Sequence, residues 1–358
     1  MPLPMPLDRL ELIARLRSAV EDVMSVEAYT VQPNGEISLR GQLRLPPDQA
    51  YRQMRPRVED VGYTPYLRAD GERYEVLAVP GVIPRTQSNP TINLVLFVAT
   101  VISVIFTGGL TADGFDLGNG LMFGASLLGI LGVHEAGHYV VGRLRGARVS
   151  LPYFIPLPAP FSFVGTLGAV IVQREPFENR RTLLEIAVAG PLAGFILAVP
   201  LFVLGIWLSH VEPLPPAGEY ITLGDSLLTR LVGVARFGRV YPSDGYDIML
   251  HPIALGAWIG LLITAINLIP AGQLDGGHIA YALLGSRARY LSYVVILAMF
   301  GLALIAQTWL VWAVLLFFFA RQHPPPLNEA VRLQSHHYAL IVAAVLVFVL
   351  TFVPRPVY

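Results

Sequence analysis

The chain has 358 residues, 54% of them hydrophobic and only 14% charged, against about 25% charged in an ordinary soluble domain. Its 25 basic residues balance 25 acidic ones, so neither a basic surface for nucleic acid nor an acidic solvating tail is expected. Every basic residue is arginine and there is no cysteine, which excludes lysine-based catalysis, disulfides, thiolate chemistry and cysteine-held metals. A metal here has to be held by His, Asp or Glu.

Charge is concentrated at the start. Residues 1–88 carry 11 Arg and 12 Asp or Glu, nearly half of all the charges. They read as a small soluble α+β domain, with residues 89–358 a transmembrane domain. Met1-Pro2-Leu3-Pro4 has no basic region followed by an apolar one, so no signal peptide is expected there. From Asp8, a plausible N-cap, to Val26, the spacing of Leu10, Ile13, Leu16, Val20 and Val23 predicts an amphipathic helix. Short alternating runs follow, such as Glu36–Arg40 and Tyr74–Leu77, and a linker covers Pro80–Pro90.

A membrane-spanning helix needs about 20 mostly apolar residues. Stretches of that kind run over Pro90–Ala112, Leu117–Val133 and on into His134, Ile186–Val211, Ile248–Leu274 and Tyr338–Val353. Tyr290–Ala320 is too long for one span and short for two, and Gln307-Thr308 in its middle reads as a hairpin tip. Six to eight spans follow, with seven the best fit. Arg143, Arg145, Arg148, Arg174, Arg180 and Arg181 cluster after the second span, and Arg287 and Arg289 after the fourth. The positive-inside rule puts them and the N-terminal domain in the cytoplasm of a cell-membrane protein. The hairpin would return Arg321 and Arg332 to the same side.

Leu151–Val172 fits no span, because Pro152, Pro156, Pro158 and Pro160 cannot sit in a helix interior. Val164–Val172 is β-rich. Irregular backbone at membrane depth is tolerated only where protein or a water-filled cavity surrounds it, so a re-entrant β-hairpin beside a site is expected.

His134-Glu135-Ala136-Gly137-His138 carries the chemistry. Two histidines one helical turn apart face the same way and can share a zinc ion, and Glu135 can act as general base on water at the metal. Ionisable groups at the end of an apolar helix are costly unless paired or functional. A catalytic zinc needs a third protein ligand. Asp275, in Asn267-Leu268-Ile269-Pro270-Ala271-Gly272-Gln273-Leu274-Asp275-Gly276, is one candidate, although an aspartate at a membrane boundary is more often a helix cap; His278 competes with it.

Together the two motifs resemble the site-2 protease family, zinc metalloproteases that cleave transmembrane segments. The resemblance rests on His-Glu-x-x-His, on Asn-x-x-Pro-x-x-x-Leu-Asp-Gly, and on Ala189-Gly190-Pro191-Leu192-Ala193-Gly194 between them, and covers about 117–284. It implies one zinc held by His134, His138 and Asp275, with Glu135 the catalytic base and Asn267 contacting substrate or stabilising the intermediate. It also implies a transmembrane protein substrate and a bilayer as partners, and a membrane-embedded hairpin at 151–172. The depth of His134 on the second span, with Arg143, Arg145 and Arg148 after it, puts the active site toward the cytoplasm. No stretch outside the membrane after residue 110 is long enough for a PDZ domain. Ile83-Pro84-Arg85 after a soluble N-terminal domain, and Gly41-Gln42-Leu43-Arg44, resemble the plastid and cyanobacterial-type branch.

Gly190/Gly194 and Gly256/Gly260 are small-xxx-small pairs that permit close packing, the second bringing the fourth span against the second. Glu185 reads as a helix-terminus charge with Arg181 as a partner, and His210, His251, His323, His336 and His337 as ordinary interfacial residues. A metal transporter, or a catalytically silent scaffold, is the alternative. A transporter would spread its ligands along a path, and a silent relative would usually have lost the base or a ligand.

Overall fold

The computed structural model describes residues 9–83, 89–112, 114–172, 175–214, 220–319 and 323–357. Asp8, Pro84, Arg85, Arg174 and Arg321, and the opening residues 1–4, lie outside them. The chain forms two compact units.

The first unit comprises Met1–Thr86, Glu175–Leu183 and Pro324–Gln334. Helix α1 (Arg9–Val20) is followed by strands β1 (Met24–Val31) and β2 (Ile37–Leu43), helix α2 (Pro47–Asp60), and strands β3 (Tyr63–Asp70) and β4 (Arg73–Pro80). The strands make one antiparallel sheet in the order β1-β2-β4-β3. The alternating runs at 36–40 and 74–77 are therefore β2 and β4. The first helix stops six residues short of the expected Val26. Its apolar period continues because Val23, in the turn, and Met24, at the start of β1, enter the same core as Leu16 and Val20. Helix α2 is an addition to the sequence reading. Pro46, Pro47 and Pro56 disguise it, but Ala50, Tyr51, Met54 and Val58 repeat at helical spacing and are all buried.

The two later segments complete this unit. Leu327 is fully buried in its core. Around it the backbone bonds to β3, with Leu67 N–H donating to Leu327 O at 2.8 Å and Glu329 N–H to Leu67 O at 2.9 Å. Asn328 donates to Pro47 O at 2.9 Å, and Arg55 pairs with Glu175 at 2.9 Å. Burial pushes the Tyr51 phenol upward, and its hydroxyl donates to Pro65 O at 3.0 Å.

The second unit is mainly helical. Helix α3 (Pro90–Gly109) and a short hairpin of β5 (Leu110–Thr111) and β6 (Gly114–Phe115) lead to α4 (Leu117–Leu144). Strands β7 (Tyr153–Leu157) and β8 (Gly165–Val170) precede α5 (Arg180–Leu208). Strand β9 (His210–Pro213), helix α6 (Leu227–Phe237) and strand β10 (Tyr246–Met249) lead to α7 (Pro252–Asn267) and α8 (Asp275–Leu284). Then come α9 (Ala288–Leu302), α10 (Thr308–Phe319) and α11 (Ser335–Thr351). The N-terminal end of α5 falls in the first unit and the rest in the second.

Among the described residues, four helices are long and apolar enough to cross a membrane: α3, α4, α5 and the run Asp275–Leu302 formed by α8 and α9. The chain is a membrane protein. Three further helices, α7, α10 and α11, are apolar but shorter. The stretch 290–320 is broken between α9 and α10 next to the expected tip at Gln307. The stretch 248–274 is not one helix: Pro252 opens α7, and Pro270 with Gly272, at φ +56°, ends it in a tight turn. The loop 212–247 holds α6, closed by a capping box between Ser226 and Thr229.

The proline-rich segment is an antiparallel hairpin, Tyr153 opposite Val170 and Leu157 opposite Gly165, with a bulge between Phe154 and Pro156. A polar stripe on α3 satisfies its backbone. Asn93 donates to Leu151 O and Pro152 O at 3.0 and 2.9 Å, Ser103 donates to Gly165 O at 2.6 Å, and Ala159 N–H donates to Thr107 Oγ1 at 3.2 Å. Such side chains replace the water that apolar surroundings withhold.

Leu327 supplies a test of the first unit. Truncation to alanine should cost about 2–5 kcal/mol, as for other fully buried leucines. Trypsin should then cut faster at Arg52 and Arg57, as read by peptide mapping. Digestion unchanged from the parent chain would mean that residue 327 does not complete this core.

Candidate metal centre

His134 and His138 stand one turn apart on α4, both with their Nε2 atoms directed to one point. Those atoms are 3.1 Å apart. Asp275 Oδ2 lies 3.3 Å from each of them. The edge of a tetrahedron built on zinc bonds of about 2.0–2.1 Å is about 3.3–3.4 Å, so the three donors have the separations such an ion requires. Glu135, between the histidines, is buried with them.

The third donor arrives through the turn after α7. Asp275 does not end the fourth span; it is the first residue of α8. A carboxylate is favoured there by the helix dipole, but Asp275 is not the cap: the N-cap is Leu274, and no side chain bonds to the helix end. Gly276 and Gly277 let this first turn press against the carbonyls of Leu268, Ile269, Ala271 and Gly272, where a Cβ would collide. Asn267, the last residue of α7, brings its amide Nδ2 to 3.4 Å from His134 Nε2. The competing ligand, His278, does not join the group. Its Nδ1 lies 2.6 Å from His323 Nε2, and Tyr281 stacks on that second ring.

Helix α5 supports the histidines from behind. His138 donates from Nδ1 to Ile186 O at 2.7 Å, which fixes the tautomer and leaves Nε2 as the free lone pair. The imidazole of His138 lies directly over Gly190, where any Cβ would overlap the ring, and Gly194 backs His134. Gly256 and Gly260 of α7 rest on Phe123, Ser126 and Ile130 of α4, the expected close approach of those two helices.

Glu185 corrects the sequence reading. Its carboxylate is held by Arg145, which donates from Nη2 to Oε1 at 2.8 Å and pairs through Nε with Oε2. His337 Nε2 lies 3.3 Å from Oε1. Arg181 turns away and donates to Arg332 O. No spacing rule joins residues 145, 185 and 337, which lie on three helices. The Ile186 carbonyl was equally invisible, since a backbone oxygen leaves no mark in a sequence.

Comparison with known proteins agrees with this geometry. The family described as Peptidase family M50 matches residues 122–307, which contain all three donors and Glu135. The chain is 31% identical over 386 aligned residues to a protein of Oryza sativa subsp. indica named "Probable zinc metalloprotease EGY2, chloroplastic", covering 99% of this chain and 70% of the relative. It is 30% identical to the Arabidopsis thaliana protein of the same name, over 88% of this chain and 59% of the relative. An Arabidopsis thaliana protein named "Probable zinc metalloprotease EGY1, chloroplastic" is 31% identical over 64% of this chain and 42% of the relative. No solved structure matches. With its family match spanning more than half of its length and the rice relative aligned over nearly all of it, the chain belongs to peptidase family M50, the site-2 protease family.

Proposed function

We infer that this chain is a zinc metalloprotease that hydrolyses peptide bonds in or near the transmembrane segments of membrane proteins. One observation carries the reading: two imidazoles and a carboxylate, from two separate helices, meet at tetrahedral separations beside a buried glutamate. When bound, zinc acidifies water toward a pKa of about 7 and draws charge from the scissile carbonyl. His134, His138 and Asp275 hold it. Glu135 takes a proton from the attacking water and returns it to the leaving amine. Asn267, its amide beside the same point, donates to the oxygen that gains charge as the carbonyl is attacked. The hairpin of β7 and β8 serves a substrate that has to unwind, offering its strand edge to the freed backbone groups.

Seven spans fit the membrane unit: the four long helices and the three shorter apolar ones. Residues 1–88 are a soluble domain, completed by 175–183 and 324–334, and the rest of 89–358 is the transmembrane protease domain, with its core at about 117–284. The arginine-rich side of the bilayer is the cytoplasm if the chain sits in a cell membrane. It is the stroma if the chain sits in a plastid membrane, to which the names of the rice and Arabidopsis relatives point. Helix α4 reaches His134 about 17 residues, or roughly 25 Å, after entering from the opposite side, so the site lies near the arginine-rich face of a core about 30 Å thick. Ligands gathered at one depth speak against a transporter, and a complete set of ligands and base against a silent scaffold.

Four experiments test this. Glu135→Gln should keep zinc and lose about 10²–10⁴-fold in cleavage of a membrane substrate; near-normal cleavage with zinc bound would sink the assigned mechanism. His134→Ala, His138→Ala and Asp275→Ala should each strip the ion from this site by metal analysis. Gly190→Ala, whose Cβ would fall on the His138 ring at its ligating Nε2, should displace that ring and weaken zinc binding about tenfold or more. Single cysteines suit a topology test because the chain has none. Ala112→Cys and Ala147→Cys should label with an impermeant thiol reagent from opposite sides, residue 147 from the arginine-rich side; labelling of both from one side would refute the orientation.

A further inference from the structure

The donor set of the catalytic trio occurs a second time in the same unit. Glu185 of α5 and His336 and His337, at the start of α11, bring a carboxylate oxygen and two imidazole nitrogens within 4.8 Å of one another. One of these separations, His337 Nε2 to Glu185 Oε1, is 3.3 Å, the same as the His–Asp distances at the first site. The two rings lie with centroids 4.0 Å apart. His337 is 1% exposed and the Glu185 side chain 12%, whereas His336 faces outward.

An ion pair alone explains part of this. Arg145 neutralises Glu185 and needs no histidine to do so. Two imidazoles converging on the same carboxylate are left over by that account. A carboxylate has about four lone-pair positions, so a bidentate arginine still leaves it able to bind a cation. In established metal sites such an outer partner fixes the direction of a ligating carboxylate. Two histidines and one carboxylate are the donor set that suits divalent transition ions such as zinc and iron(II).

We propose that Glu185, His336 and His337 form a second binding site for a divalent transition-metal ion, which staples α11 to the start of α5. The site stands apart from the first in its residues and does not depend on the first site's assignment. Its position gives it a consequence there all the same. Glu185 precedes Ile186, whose carbonyl holds Nδ1 of His138. An ion at the second site therefore steadies the backbone that orients a ligand of the first.

The test is metal stoichiometry of the full chain in detergent, stripped by chelator and titrated with Zn²⁺ alone. The parent chain should take up two ions. His336→Ala/His337→Ala should take up one, and so should His134→Ala/His138→Ala, while a variant with all four changes should take up none. Cobalt(II) should give d–d absorption in both double variants. If the α11 double variant fails to fold, His336→Ala, at an exposed position, should still weaken the second binding step tenfold or more with an unchanged melting profile. A parent chain that binds one ion, lost with His134 and His138 and indifferent to His336 and His337, would overturn the second site and leave the protease reading intact. Two ions that both persist without His134 and His138 would instead overturn the first site and spare the second.

Discussion

Taking a carboxylate and two imidazoles out of water costs several kcal/mol for each group that stays ionised and unshared. The membrane unit is organised around sharing that cost. Asp275 faces both histidines at 3.3 Å, so one negative group serves two rings. The amide of Asn267 and the carbonyl of Ile186 take up the remaining polar positions around them. Four helices, α4, α5, α7 and α8, are committed to this single point. A metal ion would complete the arrangement with one positive charge that all three donors can bind.

Such convergence requires backbones closer together than ordinary side chains permit. Gly190 and Gly194 on α5, and Gly256 and Gly260 on α7, remove the bulk on two sides of α4. In an apolar solvent there is little hydrophobic drive between helices, and close packing with polar contacts has to supply the adhesion. The same reasoning accounts for α3. Its outer face is apolar and exposed, while Asn93, Ser103 and Thr107 turn inward to complete the hydrogen bonding of a hairpin that has no water to do so.

Much of the candidate site and its surroundings was legible because each part leaves a local trace. Histidines four apart share a helix face, an unbroken apolar run marks a span, and prolines in series forbid a helix and point to the hairpin. What escaped is what depends on distant parts of the chain. Glu185 reads as a helix-terminus charge, with Arg181 the one partner its sequence offers, and it finds Arg145 at the end of α4 and His337 on α11. Asp275 reads as the end of an apolar stretch until the turn at Pro270 and Gly272 makes it the beginning of a helix. In the first unit, α2 hid behind three prolines, and the apolar spacing of α1 ran on through a turn into a strand.

The fully buried position of Leu327 has a bearing on the order in which the protein can be made. The unit whose core it fills begins with the earliest described residues, yet its strand β3 takes its outer partner from residues 327–329. Synthesis must therefore pass through every apolar helix except α11 before the N-terminal unit has its full set of contacts. Translated ahead of the apolar helices and completed only after all but one of them, this unit cannot reach its full core until most of the membrane unit has been made.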